Sequence, residues 1–252
     1  MINHRVAAVS GGTSGIGYAV LETLVQADVK VSFSGRRTER IQQIAVEHNE
    51  SRHRVEGVAA DAVDEDHVDR LFEAANHAFG ERPSAFVLCA GRGLPGSVTG
   101  SDASLWEELL RVNVLGVMRQ LRACATFFKD TYRSASGDIR DIVVIGSTVG
   151  RTLSAGNPVY GATKFALHSL VESLRVELCE HSVRVSLIEP GFVKTEFQAT
   201  AGYDMKWFNE IEQTQGPLLS AQDVATSIRF VLEQPPHVHI DDIRIRPTRQ
   251  RA

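Results

Sequence analysis

The stretch Val6-Ala7-Ala8-Val9-Ser10-Gly11-Gly12-Thr13-Ser14-Gly15-Ile16-Gly17 decides how this chain is read. A short apolar run from Val6 to Ser10 has the length of a buried strand, and the pattern from Gly15 to Ala27 is helical. Between them lies a glycine-rich turn, so the helix N-terminus, with its unpaired N–H groups and positive dipole end, faces whatever the turn holds. Gly11 suits a tight turn, Gly15 a close approach of backbone to a pyrophosphate, and Gly17 tight packing of helix on strand. The rival reading is an ordinary glycine-rich turn; the position after the first strand and before the first helix favours a nucleotide. The spacing has three residues between the first two of these glycines and one between the last two, unlike the common dinucleotide fingerprint.

Outward from this unit, strand and helix take turns along the chain. Further strands are expected at Val29–Ser34, Arg54–Ala60, Ala85–Cys89, Asp141–Ser147, Arg184–Ile188 and, weakly, Asp242–Arg246. Helices are expected near Glu39–His48, Asp64–Phe79, Asp102–Tyr132, Pro158–His181 and Ala221–Gln234, the clearest apolar stripe being Leu167, Leu170, Val171, Leu174 and Leu178. Strands apolar along their whole length, such as Ile142-Val143-Val144-Ile145, suit a parallel sheet covered on both faces. The prediction is an α/β, doubly wound fold: about seven parallel strands with helices on both faces, in one domain over 1–252. No linker or internal repeat argues for two. The least regular region, about 191–217, holds Phe192, Phe197, Tyr203, Met205, Trp207 and Phe208 and reads as a small substrate lid.

Composition sets the class of partner. The 252 residues are 43% hydrophobic, enough for one core burying roughly three quarters of the unfolded surface. Lys and Arg number 27 against 31 Asp and Glu, a net charge of −4, which points away from nucleic acid or a membrane surface and toward small ligands. No run approaches ~18 apolar residues, and Gly11 and Gly12 cut the N-terminal apolar stretch before a signal sequence could develop. Cys89, Cys124 and Cys179 are odd in number and far apart, so neither a disulfide framework nor a zinc site is expected, and a reducing cytoplasm fits. Of nine histidines only His237 and His239 lie close together, after a Pro pair, so no metal site is expected.

At the end of the second strand, about twenty residues past the glycine turn, a carboxylate would hold an NAD ribose. Here the chain reads Ser34-Gly35-Arg36-Arg37. A guanidinium pairs bidentately with a 2′-phosphate and stacks on adenine, so Arg36 argues for NADP, with Arg37 and Ser14 assisting. The plain alternative is that both arginines open a solvated helix. Asp61, beside Ala62 at the end of the third strand, is placed to accept from the adenine amino group or to cap the next helix. Cys89-Ala90-Gly91 supplies small residues where a sheet edge meets a cofactor, although a buried cysteine is more often core.

Thirteen residues after Ser147, at the expected end of the fifth strand, comes Tyr160-Gly161-Ala162-Thr163-Lys164. Spacing i, i+4 puts Tyr160 and Lys164 on one helix face. Hydride transfer to a carbonyl leaves an alkoxide to protonate, and an ordinary phenol with pKa near 10 is a weak acid–base catalyst at neutral pH. A neighbouring ammonium is expected to lower that pKa, while the Ser147 hydroxyl bonds the substrate oxygen. An exposed Tyr and Lys on a helix would show the same spacing by chance.

Over essentially its whole length the chain resembles the short-chain dehydrogenase/reductase family, NADP-preferring. Ser10-Gly11-xxx-Gly15-Ile16-Gly17 is similar to that family's TGxxxGIG loop, with Thr13 inside it. Leu88-Cys89-Ala90-Gly91 is similar to its NNAG but lacks both asparagines. Val112-Asn113-Val114 matches its mid-helix catalytic asparagine, completing a tetrad of Asn113, Ser147, Tyr160 and Lys164, and the resemblance assigns Lys164 to the nicotinamide ribose. Glu189-Pro190-Gly191-Phe192-Val193-Lys194-Thr195 is similar to its PGxVxT segment, which implies that Val193 and Thr195 meet the nicotinamide carboxamide beside Pro190 and Gly191. The resemblance further implies a Rossmann fold, pro-S hydride transfer and usually a homotetramer, or a homodimer. The ending Ile243 to Gln250 resembles a bacterial branch of 3-hydroxy acid (serine-type) dehydrogenases and clavaldehyde-type reductases.

The substrate expected is a small carbonyl compound or alcohol, a 3-hydroxy acid or related aldehyde or ketone. Arg92 and Arg151, in loops after strands that flank the nicotinamide, are candidates to clamp an anionic group; Arg244, Arg246 and Arg249 read more readily as structural pairs. Phe192 and the aromatic lid favour the alternative of a larger apolar ketone or aldehyde. A non-catalytic NADP-binding sensor is the remaining class, and its mark would be a broken tetrad.

Overall fold

Strands form where the sequence runs apolar on both faces. The computed structural model describes residues 2–49, 53–131 and 139–251. Its strands are β1 Val6–Ser10, β2 Lys30–Gly35, β3 Val55–Ala59, β4 Ala85–Leu88, β5 Arg140–Ile145, β6 Val183–Pro190, β7 Val193–Lys194, β8 Leu219–Ser220 and β9 Asp242–Ile245. Its α-helices are α1 Gly15–Gln26, α2 Thr38–Asn49, α3 His67–Phe79, α4 Trp106–Leu110, α5 Val117–Asp130, α6 Pro158–Leu178, α7 Phe197–Thr200, α8 Met205–Gln215 and α9 Ala221–Leu232.

Seven strands form one parallel sheet in the order β3-β2-β1-β4-β5-β6-β9. This is the doubly wound Rossmann fold that the sequence predicts, and its alternation divides the core. Ala7, Val9, Val31, Phe33, Val87, Val143 and Ile188 join one buried cluster with residues of α1, α2 and α9. Ala8, Phe86, Leu88, Ile142, Val144, Val185 and Leu187 face the other way, onto α3, α5 and α6. The period of two along each strand puts adjacent residues on opposite faces, so both faces are buried by helices. The stripe Leu167, Leu170, Val171, Leu174 and Leu178 packs into the second cluster, as its spacing demands. The order reverses between β1 and β4, and at such a switch point the loops beyond the strand ends diverge and leave a crevice.

Two expectations change. The helix expected over Asp102–Tyr132 is broken into a 3₁₀ turn at Ala103–Leu105, α4, a π-helical turn at Arg111–Gly116, and α5; Tyr132 lies outside the described residues. The wide turn contains Asn113, whose amide bonds outside the helix rather than to it. The region 191–217 is more regular than its composition suggests. It holds β7, which pairs in parallel with β8, then α7, and then α8, started by Asp204, whose carboxylate accepts from the Lys206 and Trp207 N–H groups.

Candidate active site

The glycine turn is shaped by contacts that only glycine tolerates. Gly11 has φ +71°, in the left-handed region. A Cβ on Gly17 would stand 2.1 Å from the Gly11 carbonyl oxygen, so α1 starts pressed against the turn. The turn is tied to β2: the Gly12 N–H donates to the Ser34 carbonyl at 2.8 Å, and the Gly11 N–H to Ser34 Oγ at 3.4 Å. Ser34 Oγ in turn meets Nε2 of buried His67 at 2.8 Å. Ser14 is the N-cap of α1 in extended conformation, yet its side chain caps no N–H, which leaves the helix N-terminus free to bind an anion.

A cavity of about 580 Å³ runs along the carboxyl ends of the strands. At one end stand Arg36 and Arg37, both exposed and without an ion pair among the described residues, with Asp61 and Ala62 at the end of the neighbouring strand β3. Its middle is lined by Gly11, Thr13, Ser14, Gly15, Ile16 and Gly17 and by Ala90, Gly91 and Arg92. Its far end is lined by Ser147, Tyr160 and Lys164, with Pro190, Gly191, Val193 and Thr195. The sequence-predicted residues therefore share one cleft, with three exceptions. Asn113 lies behind the wall: its Oδ1 accepts from the Arg92 N–H, and its Nδ2 donates to the Arg92 carbonyl, each at 2.8 Å. Nδ2 also bonds Thr163 Oγ1 at 3.1 Å. Arg151 does not line the cavity. Its Nε donates to both oxygens of buried Glu189, at 2.7 and 2.8 Å, and its NH2 group to Asp242 at 3.0 Å. Phe192 also turns elsewhere, packing edge-on against Trp207 and Phe208.

At the reactive end Tyr160 is buried in the same cleft as Ser147, whose side chain is near enough to act on the phenol and whose Oγ accepts from the Val149 N–H at 3.4 Å. Burial raises the phenol's pKa well above 10, with Tyr203 adding to the rise and Ser147 opposing it. The expectation that Lys164 lowers it is overturned. Lys164 Nζ stands 5.8 Å from the Tyr160 ring centre and donates to the Ile145 carbonyl at 2.9 Å, and burial outweighs any help it gives. Burial also pulls Lys164 itself down, to about 8, and pushes the Cys89 thiol up to about 12. The phenol is thus held protonated at neutral pH beside a serine hydroxyl, a pair able to give a proton and a hydrogen bond to one oxygen.

Sequence reading missed several cavity residues. Phe197, whose ring centre is 6.1 Å from that of Tyr160, is the lid aromatic that reaches the reactive end, rather than Phe192. The aromatic richness of the lid was the available signal, but which ring faces inward depends on the register of α7. Glu108 and Val112 also line the cavity, brought there by α4 and the π turn.

Residues 5–206 match the family model described as short chain dehydrogenase. An uncharacterized oxidoreductase of Staphylococcus epidermidis is 31% identical over 246 residues, 98% of each chain. Among solved structures, the closed form of serine dehydrogenase complexed with NADP+ superposes with a TM-score of 0.84 at 26% identity, covering 98% of this chain and 96% of that one. The 3-ketoacyl-(acyl-carrier-protein) reductase of Brucella melitensis complexed with NADH gives a TM-score of 0.85 at 25% identity over 99% of both chains.

Proposed function

This chain belongs to the short-chain dehydrogenase family of oxidoreductases, and from that premise we propose that it is an NADP(H)-dependent enzyme interconverting a carbonyl compound and its alcohol. The observation that carries the reading is the single cleft with unpaired Arg36 and Arg37 at one end and Ser147, Tyr160 and Lys164 at the other. The cleft fits a dinucleotide: the open N-terminus of α1 suits a pyrophosphate, and the arginines suit a 2′-phosphate where an NAD enzyme would place a carboxylate. Asp61 and Ala62 would flank the adenine, and Val193 and Thr195 the carboxamide. The bound nicotinamide supplies the hydride donor or acceptor.

In carbonyl reduction Tyr160 gives its phenolic proton to the substrate oxygen while Ser147 holds that oxygen by a hydrogen bond. Tyr160 is protonated at neutral pH, as this direction requires, and its raised pKa makes it a weaker acid that depends on the bound cofactor and substrate to donate. Lys164 reaches into the same end of the cleft, where a nicotinamide ribose would lie. Asn113 acts from behind by fixing the Arg92 backbone.

The proposed substrate is a small 3-hydroxy acid or its related aldehyde or ketone, supported by Arg92, which lines the cavity without an ion pair among the described residues, Glu108 being the acidic group whose charge it feels. A larger apolar ketone or aldehyde is the second reading, favoured by Val112, Phe197 and Ala201, which line the cavity. A homotetramer is proposed for the assembly, supported by Leu110, Leu115 and Met118, which stand exposed along α4, the π turn and α5. A cytoplasmic location suits the three free thiols.

Wild type and Tyr160→Phe, assayed against a panel of hydroxy acids, aldehydes and ketones with NADP(H) and NAD(H) in parallel, test this. Turnover with NADP(H) that vanishes in Tyr160→Phe while cofactor binding persists supports the enzyme. Cofactor binding with no turnover on any substrate would instead favour an NADP-binding sensor, and preference for NAD(H) would refute the role of Arg36.

A further inference from the structure

The loop that carries Ser147 is wrapped around an imidazole. His168 lies on α6, one turn after Lys164, and is 9% exposed. A Cβ on Gly146 would stand 2.5 Å from His168 Nε2, and one on Gly150 2.4 Å from the same ring. Glycine brackets the loop on both sides because the ring occupies that space. Between them the Ser147 N–H donates to Nε2 at 3.3 Å. On the ring's other side Nδ1 lies 3.9 Å from a carboxylate oxygen of Glu189, which is fully buried on β6. Glu189 also receives Arg151, the residue that ends the 3₁₀ turn started by Ser147, so one buried carboxylate faces both the ring and the end of the loop.

A backbone N–H can only donate, so Nε2 must be the bare acceptor and the single proton of the neutral ring sits on Nδ1, toward Glu189. We infer that His168, seated between Gly146 and Gly150 with its Nδ1 facing Glu189 but bonded to nothing there, is a positioning residue that fixes the Ser147 hydroxyl at the reactive end of the cleft. The inference rests on the reading of Ser147 as the hydroxyl that meets the substrate oxygen. Charged groups around the ring keep it neutral: Lys164 on its own helix, Arg151 on the loop and Arg244 on β9 all oppose a second proton, and only Glu189 favours one. Asp242 is engaged by Arg151. With burial as the largest cause, the imidazole is pulled down to about 4, so this arrangement persists at neutral pH.

The test compares His168→Phe, which keeps a ring but removes the acceptor, with His168→Gln, whose carbonyl oxygen can accept from Ser147. In His168→Phe kcat should fall about 10- to 100-fold, the scale of a small misplacement of a reacting group, with NADP+ affinity nearly unchanged. His168→Gln should recover most of that loss. Independently of turnover, ¹⁵N-histidine spectra at pH 7 should show a ring protonated at Nδ1 that disappears in His168→Phe, and exchange of the Ser147 amide should quicken about tenfold or more. An Nε2-protonated ring or an imidazolium at pH 7 would overturn the inference, as would wild-type kcat and amide protection in His168→Phe. Equal losses of kcat and of cofactor affinity in both variants would reduce His168 to a packing residue. Should the wild type turn over no substrate, or Ser147→Ala remain fully active, the proposed function fails while spectra and exchange still judge the geometry.

Discussion

Asn113 grips the backbone of Arg92 from both sides, accepting from its N–H and donating to its carbonyl at 2.8 Å each. The grip joins the π turn to the loop after β4, across the wall of the cleft. Asn113→Ala leaves the part-buried Arg92 N–H and carbonyl without these partners, while Thr163 Oγ1 keeps its bond to the Tyr160 carbonyl, and losing such partners costs about 1–3 kcal/mol in all where water reaches part of the site. Urea unfolding should show a loss in that range. Cofactor turnover should fall further than the unfolded fraction explains, because the loop bearing Arg92 is released. An Asn113→Ala variant of wild-type stability would mean that water replaces the amide without cost.

Lys164 makes a second prediction through pH. Its pKa falls from the usual 10.5 to about 8 on folding, chiefly from burial. Below pH 8 the folded chain carries the full penalty of a buried ammonium, about 3 kcal/mol from a difference of this size. Between pH 8 and 10.5 the unfolded chain still binds the proton that the folded chain has released, so this group makes stability rise with pH. Cys89 and Tyr160, both raised, act with the opposite sign at the alkaline end. The Lys164→Met variant isolates the lysine. Its stability relative to wild type, measured in urea from pH 7 to pH 10, should decline progressively above pH 8, and a constant difference would show that the lysine titrates normally.

The sheet was legible because its strands are short, apolar on both faces and punctuated, and the cleft because its residues sit at strand ends. Gly11, Arg36, Ser147 and Pro190 each follow or close a strand, and the strand ends gather at one edge whatever the details of packing. What escaped was set by tertiary register. Arg151 and Phe192 also follow strands, but the buried carboxylate of Glu189 takes the first, and Trp207 and Phe208 take the second. The Lys164 effect on Tyr160 was misjudged because spacing reveals proximity on a helix but not the burial that opposes it.

Arg36 predicts cofactor choice. It is exposed and lines the cleft at the end of β2, and no ion pair among the described residues holds it, although Glu108 of the same cleft feels its charge. A charge-assisted pair with a phosphate is worth about 1.5–3 kcal/mol, roughly 10- to 100-fold in affinity. Arg36→Ala should weaken NADP+ by that factor in kcat/KM while NAD+ changes little, and the NADP+ preference should shrink with added salt. If both cofactors lose equally, Arg36 supports the adenine end without reading the 2′-phosphate.

Arg92 and Arg151 part company over the substrate. Both follow strands near the reactive end, yet Arg92 lines the cavity whereas Arg151 is bound to Glu189 and Asp242, and those pairs hold the loop of Ser147. Arg92→Ala should therefore cost about 10- to 100-fold in kcat/KM with a 3-hydroxy acid, the worth of a charge-assisted bond to a carboxylate, and little with an uncharged alcohol of similar size. Arg151→Ala leaves the Glu189 carboxylate buried without the guanidinium Nε that serves both its oxygens, so it should depress stability and affect both substrates alike. Kinetics of the two variants on the two substrates, with thermal unfolding alongside, separate a binding role from a scaffolding one. Equal losses for acid and alcohol in Arg92→Ala would remove the anion clamp and leave the apolar lining of Val112, Phe197 and Ala201 to select a larger ketone.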